Sequence, residues 1–264
     1  MGAVVVLVMS AASALLDGCA TVFLDIGSNA GTQLQHVFQP ELRPGASIQS
    51  YYDEFLGKGA QRARDRGLCA IAMEASPTTE AHLVALRDSY IGRGLRVALF
   101  LRTAVGVRNG TADLSFVPPS NAHQSTRSLG AMPTGPRARH VAVSVVDLGQ
   151  FIRQHVISRK LPAGAVSRVV MHLDIEGCEH SLLPRLMEAG VLCELDFLYL
   201  ELHAAFEGKS RMKQYQQSGE ALVATVREQL VRESCRMFLV DSWQYARRPP
   251  RYSLGTVGSG SARF

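Results

Sequence analysis

Short, unbroken apolar runs alternate along this chain with segments whose apolar residues recur every three or four positions. The runs at 21–26, 68–73, 95–101, 141–146, 169–175, 197–202 and 236–240 predict strands. The segments at 30–38, 79–91, 148–159, 181–189 and 219–233 carry helical spacing between them. Alternation of this kind predicts βαβ units, and hence an α/β fold around a largely parallel sheet. Asn109-Gly110 marks a tight turn, with an antiparallel strand expected over 112–117. Two stretches break the rhythm. Residues 39–66 are polar and hold Pro40, Pro44 and the Arg-rich run 61–66, which reads as an insertion or lid outside the core. Residues 118–140 hold four prolines among Ser, Thr and Gly and read as a loop.

The ends differ from the middle. Residues 1–20 begin with an apolar, small-residue-rich stretch, a candidate signal peptide or a buried N-terminal segment. Ala12-Ser13-Ala14 and Gly18-Cys19-Ala20 both have the small-x-small form of a cleavage site, but a charged region ahead of the stretch is missing. A secretory route and a cytoplasmic one both stay open. No other run is long enough to cross a membrane. The domain proper is placed at 21–246, and residues 247–264 read as a basic, flexible tail.

Composition adds little. The net charge is +5, with 24 Arg against 4 Lys. An Arg-rich surface suits acidic substrates, although a biased codon usage explains the same numbers. No nucleic-acid-binding module is recognisable. The five cysteines are scattered without a CxxC pair, so neither a zinc site nor a disulfide framework follows from them; Cys69 and Cys178 read as small buried hydrophobes.

Chemistry concentrates at three strand ends. The first ends in Asp25-Ile-Gly27-Ser28-Asn29-Ala-Gly31 before a helix, where open α/β sheets bind ligands. Gly27 allows a tight turn, Gly31 a close backbone approach, and Asp25 can accept hydrogen bonds. The spacing lacks the second glycine of the dinucleotide fingerprint. The second strand ends in Glu74, placed to bridge ribose hydroxyls. Near the end of the fifth, His172, Asp174 and Glu176 share one face by period two, as Tyr199, Glu201 and His203 do on the next strand. Two strands would thus bring carboxylates and imidazoles to one cleft. Such a cleft could also hold Mg²⁺, but the ligand spacing is not diagnostic, so no metal is assigned and metal dependence stays open.

These residues resemble the FkbM-type methyltransferases. The matching motifs are Phe23-Leu-Asp-Ile-Gly-Ser-Asn-Ala-Gly31, Met73-Glu-Ala-Ser-Pro77, Val145-Val-Asp-Leu148, Leu173-Asp-Ile-Glu-Gly-Cys-Glu179 and Tyr199-Leu-Glu-Leu-His203. The resemblance implies a Rossmann-like class I methyltransferase fold, with a mostly parallel seven-stranded sheet and helices on both faces. It implies S-adenosylmethionine as cofactor and O-methylation of a hydroxyl on a sugar, glycan or small natural product. Asp25, Gly27, Ser28, Asn29, Gly31, Glu74 and Asp174 would bind the cofactor. His203, Asp174 and Glu176 would border the transfer centre, with His203 the first candidate base and Asp174 the second. His172 departs from the Lys common at its position. Two other readings remain: a non-catalytic secreted protein that keeps the fold, and an NAD(P)-dependent oxidoreductase.

Overall fold

In the computed structural model, residues 15–116, 139–203 and 208–241 are described. The strands are β1 (Thr21–Ile26), β2 (Leu68–Glu74), β3 (Arg96–Leu101), β4 (Thr103–Gly106), β5 (Gly110–Phe116), β6 (Arg139–Asp147), β7 (Arg168–Leu173), β8 (Phe197–Leu200) and β9 (Phe238–Asp241). The helices are α1 (Thr32–Phe38), α2 (Ile48–Phe55), α3 (Gly59–Arg62), α4 (Glu80–Gly92), α5 (Leu148–Phe151), α6 (Glu179–Glu188) and α7 (Gly208–Arg232). A π-helical segment, Ile152–Ile157, continues α5.

Six strands form one sheet in the order β3-β2-β1-β7-β8-β9, and every neighbouring pair is parallel. Among the described residues this sheet therefore has six strands, not the expected seven. Both faces are covered, which is why its strands read as continuous apolar runs. Val22, Leu24 and Ile26 of β1 face a core shared with α5, α6 and α7. Phe23 faces the other way, into a core shared with α1, α2 and α4. The order reverses between β1 and β7, so the crevice beyond their C-terminal ends is the topological switch point.

The polar stretch 39–66 is not a lid. Ile48, Tyr52 and Leu56 recur at helical spacing and sit in the second core, with the Tyr52 ring edge-on to Phe23. Arg62, in the Arg-rich run, is fully buried. It donates to the carbonyls of His36 and Val37 in the last turn of α1, to Gly57 O and to Asp53 Oδ1. A cation there satisfies carbonyls that the helix end leaves open and suits the dipole. Its cost of burial is offset by the ion pair with Asp53 and three carbonyl acceptors.

A second sheet, in the order β4-β6-β5, extends from the end of β3. Arg102, in the left-handed region at φ 51°, turns the chain from β3 into β4. The expected antiparallel strand is β5, paired with β6. Asn109 braces this turn: its Oδ1 accepts from Asp147 N and its Nδ2 donates to Gln150 Oε1. Asp147 also caps α5 through Gln150 N. Most of the Pro-rich loop, the tail and the candidate site Ala12-Ser13-Ala14 lie outside the described residues. Cleavage after Gly18-Cys19-Ala20 would remove Leu16 and Cys19, both buried in the first core. Among the described residues no helix is long and apolar enough to cross a membrane.

Four cysteines are paired, a framework that did not follow from their spacing, and Cys69, expected as a small buried hydrophobe, is one of them. Cys19 is bonded to Cys69 with Cα atoms 5.8 Å apart, and Cys193 to Cys235 with Cα atoms 4.8 Å apart. Neighbouring parallel strands bring Cys69 beside the residues that lead into β1. Only Cys178 is free. Breaking the buried Cys19–Cys69 bond, by reduction or by Cys69→Ala, should cost about 2–4 kcal/mol of unfolding free energy. A urea midpoint that stayed put in both cases would show that the two thiols are not joined.

Candidate functional site

The turn after β1 is fastened to β2 by its backbone. Gly27 N and Ser28 N both donate to Met73 O at 3.0 Å, and Asn29 N donates to Glu74 Oε2 at 2.6 Å. The other Glu74 oxygen accepts from Ser76 N at 2.7 Å. Burial pushes the Glu74 carboxyl up, while these two amides favour its ionised form. Glycine is needed at Gly27 on two counts. Its φ is 83°, and a Cβ there would stand 1.7 Å from Asp174 O across the gap to the end of β7. Gly31 sits behind the turn at φ 73°, where a Cβ would strike Leu86 and Leu83 of α4.

Beneath this turn lies a buried ionic triad. His172 Nδ1 is 2.9 Å from Asp25 Oδ1, and its Nε2 is 3.2 Å from Glu201 Oε1. Burial opposes the imidazolium, but the two carboxylates outweigh it and hold the His172 pKa up to about 10. The ring also stacks on Tyr199 with centroids 5.4 Å apart. The parallel register sets Asp25 beside His172 and His172 beside Tyr199, so the triad links the ends of three strands.

Above it is an open cleft. Its walls are Gly27 and Asn29 from the turn, Met73 to Ala75 after β2, Thr103 to Val105 of β4, and Asp174 to Glu176 with Cys178 after β7. Asn29 is held at φ 48°, and its Oδ1 is shielded from solvent with no hydrogen-bond partner. On the far wall, Glu179 is fully buried and accepts from Ile175 N and Gly177 N at 2.8 and 2.7 Å. It thereby fixes the loop that presents Asp174 and Glu176. His203 Nδ1 lies 3.4 Å from Asp174 Oδ1 and 3.7 Å from Glu179 Oε1. Glu179 first and Asp174 after it raise the His203 pKa to about 9 against the effect of burial. Burial, with the Glu201 and Glu176 charges adding to it, lifts Asp174 to about 7.

Of the residues expected to bind a cofactor, Gly27, Asn29, Glu74 and Asp174 line the cleft. The other three do not. Asp25 is fully buried against His172, Ser28 turns its hydroxyl down onto Asp25 O, and Gly31 packs against α4. Of the three expected at a transfer centre, Glu176 and Asp174 line the cleft and His203 adjoins Asp174. The six polar residues expected on one cleft face divide into two layers. His172, Tyr199 and Glu201 go below with Asp25, while Asp174, Glu176 and His203 stay above, with Asp174 close to both groups. The β4 wall, which pairs in parallel with β6, was not foreseen. Comparison of the chain with protein-family models, curated proteins and solved structures gave no match.

Two substitutions test this geometry. Gly27→Ala should cost more than about 2 kcal/mol, since left-handed backbone and the Asp174 carbonyl both oppose a Cβ. His172→Gln strands the buried Asp25 carboxylate and leaves the half-buried Glu201 without its partner, which should cost about 3–5 kcal/mol, whereas adding Asp25→Asn should recover part of that loss. Strictly additive costs in urea unfolding would show that Asp25 and His172 do not act as a pair.

Proposed function

We propose that the chain is an S-adenosylmethionine-dependent methyltransferase of the FkbM type, acting on a hydroxyl of a sugar, glycan or small natural product. The observation that carries this reading is Asn29 Oδ1, a shielded acceptor without a partner at a glycine turn on the switch point. It suits the ammonium group of the cofactor's methionine end. Glu74, at the end of β2, suits the ribose, although its two oxygens already hold Asn29 N and Ser76 N and must share. The residues present therefore fit the cofactor. Asp25 serves differently from the role first given to it, as the buried support of the turn.

S-adenosylmethionine supplies a methyl group already activated on a sulfonium. The protein's part is alignment and exclusion of water. Gly27 lets the two cleft walls approach, Glu74 and Glu179 fix the loops, and the β4 wall closes a third side. Asp174, Glu176 and His203 border the acceptor side. The acceptor hydroxyl must lose its proton as the new bond forms. With its pKa near 9, His203 already carries a proton at neutral pH, which weighs against it as the base.

One observation favours a dinucleotide instead. Six parallel strands in this order are the arrangement of dinucleotide-binding sheets. The turn lacks their Gly-x-Gly-x-x-Gly spacing, which keeps this reading second.

Calorimetry with S-adenosylhomocysteine and, in parallel, NAD decides between them. Saturable binding of S-adenosylhomocysteine is expected. Asn29→Gly keeps the left-handed turn, removes the carboxamide, and should weaken binding about tenfold, the cost of one hydrogen bond to a charged group. Binding of NAD alone would overturn the methyltransferase reading, and binding of neither by folded protein would favour a non-catalytic role.

A further inference from the structure

Three ligand-type side chains converge on the acceptor side of the cleft. Asp174 follows β7 directly, Glu176 comes two residues later in a left-handed turn, and His203 lies three residues beyond β8. One oxygen of each carboxylate and one imidazole nitrogen all lie within 4.8 Å of one another. Two of those atoms, Asp174 Oδ1 and His203 Nδ1, are shielded from solvent and make no hydrogen bond, although only 3.4 Å separates them. Leaving a shielded acceptor and a shielded ring nitrogen unsatisfied is costly. The neighbouring groups relieve it only in part. Glu179 approaches His203 Nδ1 at 3.7 Å while accepting from Ile175 N and Gly177 N, and His172 is bonded to both Asp25 and Glu201.

We propose that Asp174, Glu176 and His203 bind one divalent cation. Coordination displaces the His203 proton, gives Asp174 Oδ1 and His203 Nδ1 a shared partner and offsets the crowding of the two carboxylates. The mixed oxygen and nitrogen set favours an ion of the Mn²⁺ class over Mg²⁺ or Ca²⁺, which prefer oxygen alone. Three protein donors leave coordination positions for an incoming ligand. The role of the ion rests on the methyltransferase reading, whereas its binding does not. Under that reading the open positions take two neighbouring oxygens of the acceptor, so the substrate class narrows to molecules with adjacent hydroxyls. The ion also makes the bound hydroxyl more acidic, so that its proton passes to solvent as the oxygen takes the methyl group and S-adenosylhomocysteine leaves.

The test is titration of the full-length, chelator-stripped protein with MnCl₂ at neutral pH, with free Mn²⁺ followed by electron paramagnetic resonance. One ion per chain is expected. Asp174→Asn and His203→Gln should each weaken binding by at least about tenfold. Glu233→Gln should bind as the wild type does, since Glu233 is grouped with the disulfide-bonded Cys193 and Cys235 and bonded to Gln229, and shares no ligand with the proposed site. Circular dichroism checks that each variant is folded. Absence of saturable binding to the wild type, or equal affinity in folded Asp174→Asn and His203→Gln, would overturn the proposal. S-adenosylhomocysteine is titrated alongside. Mn²⁺ bound without it leaves the cation site standing and removes the methyltransferase reading. The converse result leaves the cluster to proton transfer and removes the cation.

Discussion

A charged imidazole between two carboxylates sits where the order of the main sheet reverses. Asp25, His172 and Glu201 come from β1, β7 and the end of β8, and their contacts hold those strand ends in register below the cleft. Burying Asp25 and His172, with Glu201 half-buried beside them, is expensive, and the Coulomb attraction compensates only while all three remain. The two walls of the cleft grow from these same strands. Their spacing is tight enough that Gly27 and the Asp174 carbonyl leave no room for a Cβ between them. The shape of the crevice above is therefore tied to the triad beneath.

The cleft uses one device twice. Glu74 binds two backbone amides on one side and Glu179 binds two on the other. Charge-assisted bonds of this kind are short and strong. Each fixes a loop that would otherwise depend on its own turn geometry. Acidic residues at strand ends thus serve here to shape the backbone around a ligand, and what they offer a ligand directly comes second.

Much of this was legible in the sequence. The strands of the main sheet announce themselves as apolar runs because both sheet faces are buried, and the glycine turn falls where the switch point requires it. Period two set His172 and Asp174 on one face, but β7 ends at Leu173. The chain then turns, so one residue faces the buried layer and the other the cleft. Residues 39–66 misled because composition hid a pattern that was present. Ile48, Tyr52 and Leu56 have helical spacing, while the buried role of Arg62 depends on carbonyls of α1 that no local pattern shows. The cysteine pairs were invisible for a related reason, since 50 and 42 residues of chain separate partners that only the tertiary fold brings together.

The Cys19–Cys69 bond closes a covalent ring that contains β1, the glycine turn and all of α1, α2 and α3. Its most exposed stretch, around Glu41 to Gly45, lies on the rim of that ring. A protease cutting there would open the ring into a line without releasing either piece. Asn29 and Glu74, on opposite sides of such a cut, would still belong to one covalently joined molecule, and the half of the cleft they build could outlast a broken backbone.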